Sequence, residues 1–248
     1  MKKLFTLSLA IFAFQFVQAQ VSVTKPKTPI GGRPNIPSDL NIEFGFNQLN
    51  NRPENLDINF LGSRTFNVSY QVPINILGEN SGFTLNPGIG IGSDKIQFGG
   101  GQNLFINPTL GPESSRLQKV TDVYGATINL GRNNFSANYI EMPIDIRYHL
   151  NKNNYNKSFR ISIGGKIGYL YEAHTKVSYE NTTIGSRKIK DSQNFGLEKI
   201  RYAVSLKAGS PGFYVWGNLY LNDMWQAGRG PFATEASQIS FGVAVAVF

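Results

Sequence analysis

The sequence predicts an all-β fold, a transmembrane up-and-down antiparallel β-barrel of eight strands, with ten strands as the alternative count. Three observations carry this. Apolar and polar residues alternate with period 2 in eight separate runs. The connections between the runs alternate short and long. Heptads and sustained 3.6-residue periodicity are absent from the 248 residues.

The elements follow in chain order. Met1-Lys2-Lys3 is a basic start, Leu4 to Val17 is apolar and uncharged, and Val17-Gln18-Ala19 fits a processing site. Residues 1–19 therefore read as a signal peptide, too short in its apolar part for the roughly 20 residues of a spanning helix. Residues 20–37 read as a Pro-rich periplasmic tail: Thr24 to Pro37 (TKPKTPIGGRPNIP) cannot build a core.

The first run sets Leu40, Ile42, Phe44 and Phe46 against Asn41, Glu43, Gly45 and Asn47. The second spans Phe66 to Ile76, the third Phe83 to Ile91, the fourth Ile140 to Leu150 and the fifth Phe159 to Tyr171. The last three are Ile200 to Leu206, Phe213 to Leu221 and Ile239 to Val247. LGENSG, NKNNYN and AGSPG supply short turns. Gln48–Arg64, Gly99–Phe135, Tyr179–Gly196 and Asn222–Ser237 are the long connections. Short turns then fall on one membrane side and long loops on the other. Leu104 to Ile106 and Val123 to Leu130 either lengthen strands above the membrane or add the hairpin that makes ten.

Charged residues are 16 % of the chain, below the roughly 25 % of soluble domains. Cys is absent and His occurs twice, which excludes a disulfide scaffold, a Cys-ligated metal and a thiol nucleophile. No metal, cofactor or catalytic residue is assigned, and the chain reads as a non-enzyme. His174, with Glu172 and Ser178 nearby, has suitable residue types for hydrolysis, but reads as a solvated loop-edge residue; His149 lies at the short-turn end. Gly88 to Gly92 (GIGIG) is followed by no helix pattern, so a dinucleotide loop is not implied.

The minority face collects the informative charges. Glu43, Glu141, Asp145 and Glu172 are its acids; Arg147, Arg160, Lys166, Lys199, Arg201 and Lys207 are its bases. An eight-stranded lumen is filled by side chains, and buried charges there need partners. These residues are the expected interior charge network, with Glu141 and Asp145 facing Arg160 and Lys166. The competing readings are a narrow pore for small, anionic solutes, and an exported soluble β-barrel that binds a small ligand. The net charge of +8 becomes +6 once Lys2 and Lys3 leave with the signal peptide. Its bases are spread over strands, so no nucleic-acid partner is expected.

The strand ending at Leu77 before a Gly-Glu-Asn turn, Leu85 to Gly92 (LNPGIGIG) and Tyr139 to Leu150 (YIEMPIDIRYHL) resemble the outer-membrane β-barrel domain family of Bacteroidota, including PorT-like proteins. The resemblance implies that residues 38–248 are an outer-membrane β-barrel. It implies outer-membrane lipid, the barrel-assembly machinery and envelope proteins as partners. Phe248 is then the expected assembly signal. The bulky residues before it have the opposite parity to that signal, and a bulge near the end would restore the register.

Overall fold

The computed structural model describes residues 39–78, 80–155, 158–181, 185–210 and 212–247. The signal peptide, the Pro-rich tail and Phe248 lie outside the described residues. In chain order the strands are β1 (Asp39–Asn50), β2 (Arg64–Gln71), β3 (Ile74–Asn75), β4 (Phe83–Ile96), β5 (Gln102–Asn107) and β6 (Gly111–Lys119). A short helix α1 (Val120–Tyr124) precedes β7 (Ile128–His149), β8 (Arg160–Asn181), β9 (Gly185–Ser192), β10 (Ile200–Ser210), β11 (Phe213–Asp223) and β12 (Ser237–Ala246).

Eight of these close into a ring: β1, β2, β4, β7, β8, β10, β11 and β12, with β12 pairing back onto β1. Every pairing in the ring is antiparallel, so the barrel is up-and-down. The ten-strand alternative is corrected. β5 and β6 form their own two-stranded sheet above the barrel and do not enter the ring. The second sequence run is also shorter than expected. Pro73 cannot donate to a ladder, and the chain breaks after Gln71 before resuming as the two-residue β3.

The alternation sorts the side chains into two environments. Ile140, Met142, Ile144 and Ile146 of β7 point outward, each about half exposed, as do Ile161, Ile163 and Ile167 of β8. This outward apolar surface continues around the ring through Val204, Leu206, Val215, Leu219, Val243 and Val245. A surface of that size facing water would be an aggregation hazard; facing lipid, it is the solvent match. No described helix is long and apolar enough to cross a membrane. The crossing is made by strands, whose backbone groups the closed ladder satisfies.

The register of β12 against β1 runs unbroken from Asn50↔Ser237 to Asn41↔Ala246. The described part of β12 therefore holds no terminal bulge, and Gly242, Ala244 and Ala246 keep their parity. The reason is packing: Ala244 and Ala246 are buried against Tyr214 and Trp216 of the neighbouring strand.

Candidate functional site: the barrel lumen and its outer cap

Inward residues of the ring are polar and buried. Asn41, Glu43, Asn47 and Thr65 from β1 and β2 meet Asp94, Glu141, Asp145 and Arg147 from β4 and β7. Arg160, Lys166, Arg201 and Lys207 come from β8 and β10. Glycine makes room for them. A Cβ on Gly92 would stand 2.8 Å from the Glu141 carboxyl carbon, and one on Gly168 would stand 3.0 Å from the Arg201 stem.

The charges pair across the lumen. Lys166 Nζ lies 3.0 Å from Glu141 Oε2. Lys207 Nζ lies 3.1 Å from Glu43 and 3.0 Å from Asp145. Arg201 donates to Asp94 and, at 2.7 Å, to Glu141. Its guanidinium sits 3.4 Å from the centre of the Tyr139 ring and 4.6 Å from that of Tyr220, a cation–π sandwich. Near the short-turn end, Arg147 and Arg160 both donate to Asp39, the latter at 3.2 Å.

Neutral groups fill much of the remaining hydrogen-bonding capacity. Gln71 donates to Asp145 at 2.8 Å, Asn67 to Glu43 at 3.2 Å and Gln238 to Asp94 at 2.9 Å. Among the described residues, this interior set has five acids (Asp39, Glu43, Asp94, Glu141, Asp145) and five bases (Arg147, Arg160, Lys166, Arg201, Lys207).

The structure thus brings together eight of the residues singled out from sequence: Glu43, Glu141, Asp145, Arg147, Arg160, Lys166, Arg201 and Lys207. Two others stand elsewhere. Lys199 is exposed, because β10 begins only at Ile200 and strand parity does not extend to it. Glu172 follows a register shift at Tyr171, where β8 holds one residue more than β7. It pairs outside the lumen with Lys190 at 2.8 Å and His174 at 3.1 Å. The expected hairpin pairing holds for Glu141 with Lys166; Asp145 pairs with Lys207, and Arg160 with Asp39. Asp39, Asp94 and Tyr139 join the set without being predicted by the sequence, whereas the alternation of the seventh run already turns Tyr220 inward, where it meets Arg201. Ser178 is four residues along the strand from His174, roughly 13 Å of rise, beyond the reach of a hydroxyl–imidazole hydrogen bond.

Above the charged layer, the long loops build an apolar core. Leu56 and Ile58 of the first, Phe98 and Leu104 of the second, Phe195 and Leu197 of the third, and Met224, Trp225 and Ala236 around the fourth cluster over Phe135 and Tyr139. Trp225 is paired in a bridge to Leu197, and Ile58 in one to Phe98, so backbone and side chains fasten the loops together.

A closed ring with an apolar outer belt and a polar interior defines an integral membrane β-barrel. A family model described as "Outer membrane protein beta-barrel domain" matches residues 18–224, and the chain belongs to that family. Its place is the outer membrane, and its apolar belt contacts that membrane's lipid. A solved structure, Ail, the attachment invasion locus protein of Yersinia pestis, in complex with the heparin analogue sucrose octasulfate, is similar at 11 % identity with a TM-score of 0.33. That alignment covers 84 % of this chain and 97 % of that one. No curated protein matches the chain.

Proposed function

We propose that this is a non-conducting outer-membrane barrel whose interior is plugged by its own charges, and whose task is structural or adhesive through the long extracellular loops. The observation that carries the reading is the pairing of five lumenal acids with five lumenal bases. A conducting path needs exchangeable sites that ions enter and leave; ion pairs buried in mutual contact offer none. The apolar loop core over the same lumen supports the closed state from outside. The fused loops would then serve as a rigid platform for an envelope or surface partner, without enzymatic chemistry.

Planar-bilayer recording tests this. The expected result is no steady conductance, and a stable open pore overturns the plugged reading in favour of a narrow channel. The resemblance to PorT-like barrels belongs to the same proposal, as do the signal peptide over 1–19 and the Pro-rich periplasmic tail over 20–37. N-terminal sequencing of the protein isolated from membranes checks the processing site, with Gln20 expected as the first residue.

A further inference from the structure

We propose that Arg64, Lys95 and Arg132 form a phosphate-binding patch on the outer rim of the barrel, for the phosphorylated sugar headgroup of an outer-leaflet glycolipid. The inference depends on the membrane placement of the barrel and not on whether its lumen conducts.

The geometry begins with register. Arg64 on β2 stands directly opposite Lys95 on β4. Like charges facing each other across a ladder destabilise the sheet. Arg132 of β7, exposed on the same side, adds a third cation, close enough to Lys95 to repel it together with Arg64. Among the described residues, none of the three makes an ion pair with an acid. The lumenal charges are all matched, and this outward cluster is not. An anion docked here from outside the chain would relieve the repulsion between the facing Arg64 and Lys95.

Height identifies the source. On the outward face of β2 the apolar belt ends at Phe66, and the next outward residue toward the long loop is Arg64. On β4 it ends at Ile91, followed by Ser93 and Lys95. The two residues from Phe66 to Arg64 rise by roughly 6.6 Å along the strand and the four from Ile91 to Lys95 by roughly 13 Å, which lifts the cations from hydrocarbon to headgroup level. Phe46, opposite Arg64 on β1, stacks on Phe60 at 4.8 Å. Phe60 in turn lies 6.1 Å from Phe241, so an interfacial aromatic band flanks the patch. Arg64 is also positioned: its Nε donates to the Leu61 carbonyl at 3.0 Å. Guanidinium groups match phosphate oxygens in a planar fork, and a lysine between them adds a point charge.

The test uses the full barrel reconstituted in phosphatidylcholine nanodiscs doped with a bisphosphorylated glucosamine-disaccharide lipid. Lipid retained per chain is counted by native mass spectrometry. Wild type is expected to enrich the phosphorylated glycolipid over phosphatidylcholine. Lys95→Gln should lower that enrichment about fivefold, and the combined Arg64→Gln, Lys95→Gln, Arg132→Gln variant should abolish it. Heat-modifiable gel mobility confirms that each variant is a folded barrel. Lys188→Gln on β9, away from the patch, should retain wild-type enrichment. Equal enrichment by wild type and the triple variant overturns the patch, as does equal enrichment of the same lipid stripped of phosphate. Complete displacement by an equal concentration of inorganic phosphate overturns the lipid assignment, since the site would then take free phosphate.

Discussion

Lys166 Nζ stands 3.0 Å from Oε2 of Glu141, joining β8 to β7 on the diagonal of their ladder inside the barrel. Glu141 also accepts from Arg201 at 2.7 Å, so one carboxylate holds two cations. Glu141→Ala leaves both short of a counter-charge in a buried setting. Removing one member of a buried ion pair costs about 3–5 kcal/mol. Urea unfolding in lipid vesicles should show a loss of that order for Glu141→Ala, and a comparable loss for Lys166→Ala. Unchanged unfolding in both variants removes the pairing as a source of stability.

The glycines of the inner face are spacers. Gly92 borders the Glu141 carboxylate and the Asn67 amide, and a methyl group there meets both at 2.8 Å. Gly92→Ala is expected to destabilise the barrel by about 1–3 kcal/mol, the usual cost of overpacking. The same measurement on Gly78→Ala at a turn, where an added carbon meets nothing, separates crowding from backbone strain, since Gly78 has a φ of 93°.

The loop core should fail independently of the barrel. Trp225 is 1 % exposed, and Gly230 lies against its ring. Trp225→Ala removes a large buried side chain, a change worth about 3–5 kcal/mol in a well-packed core. The expected result is faster protease cleavage in the long loops with unaltered heat-modifiable mobility. Loss of the heat-modifiable form itself means that the loops are required for barrel closure.

The base of the β8–β9 hairpin, beyond the last outward aromatic Tyr171, responds to pH. Burial holds the His174 imidazole below its ordinary value of 6.5, against the opposing pull of Glu172. Glu172 is held below 4.5, chiefly by its hydrogen bond from Lys190. Both shifts are depressions, so in both cases the unfolded form binds protons first. Their stabilisation is present above the unfolded values and is lost as pH falls through 6.5 for the histidine and then through 4.5 for the glutamate. Hydrogen exchange of β9 amides, corrected for intrinsic rates, should show weakening protection as pH drops below about 6.5. His174→Gln should remove the upper step and leave the lower one.

The eight strands were legible because each has one face in lipid and one in a polar lumen, which writes period 2 directly into the chain. The lumenal residues were legible where that alternation runs clean, as at Glu141, Asp145 and Arg147. Asp94 was missed because its outward neighbours, Ser93 and Lys95, lie above the apolar belt and no longer mark a face. Glu172 was misplaced by one extra residue at Tyr171, since a one-residue slip exchanges the two faces. Lys199 was assigned to a strand that starts one residue later. The loop core left no periodic trace: Leu56, Phe98, Phe195 and Trp225 come from irregular segments, and only their meeting in space makes them a unit.

The balanced lumen has a consequence for how the protein enters its membrane. Asp39 and Glu43 sit on β1, while their partners Arg147, Arg160 and Lys207 lie on β7, β8 and β10. A half-curled sheet in hydrocarbon would carry those groups bare, at several kcal/mol each. Pairing is complete only when the sheet has curled far enough to bring β7, β8 and β10 across the lumen from β1. Wherever water is excluded, these pairs therefore favour a curled sheet over an open one, and curvature itself becomes a means of neutralising charge.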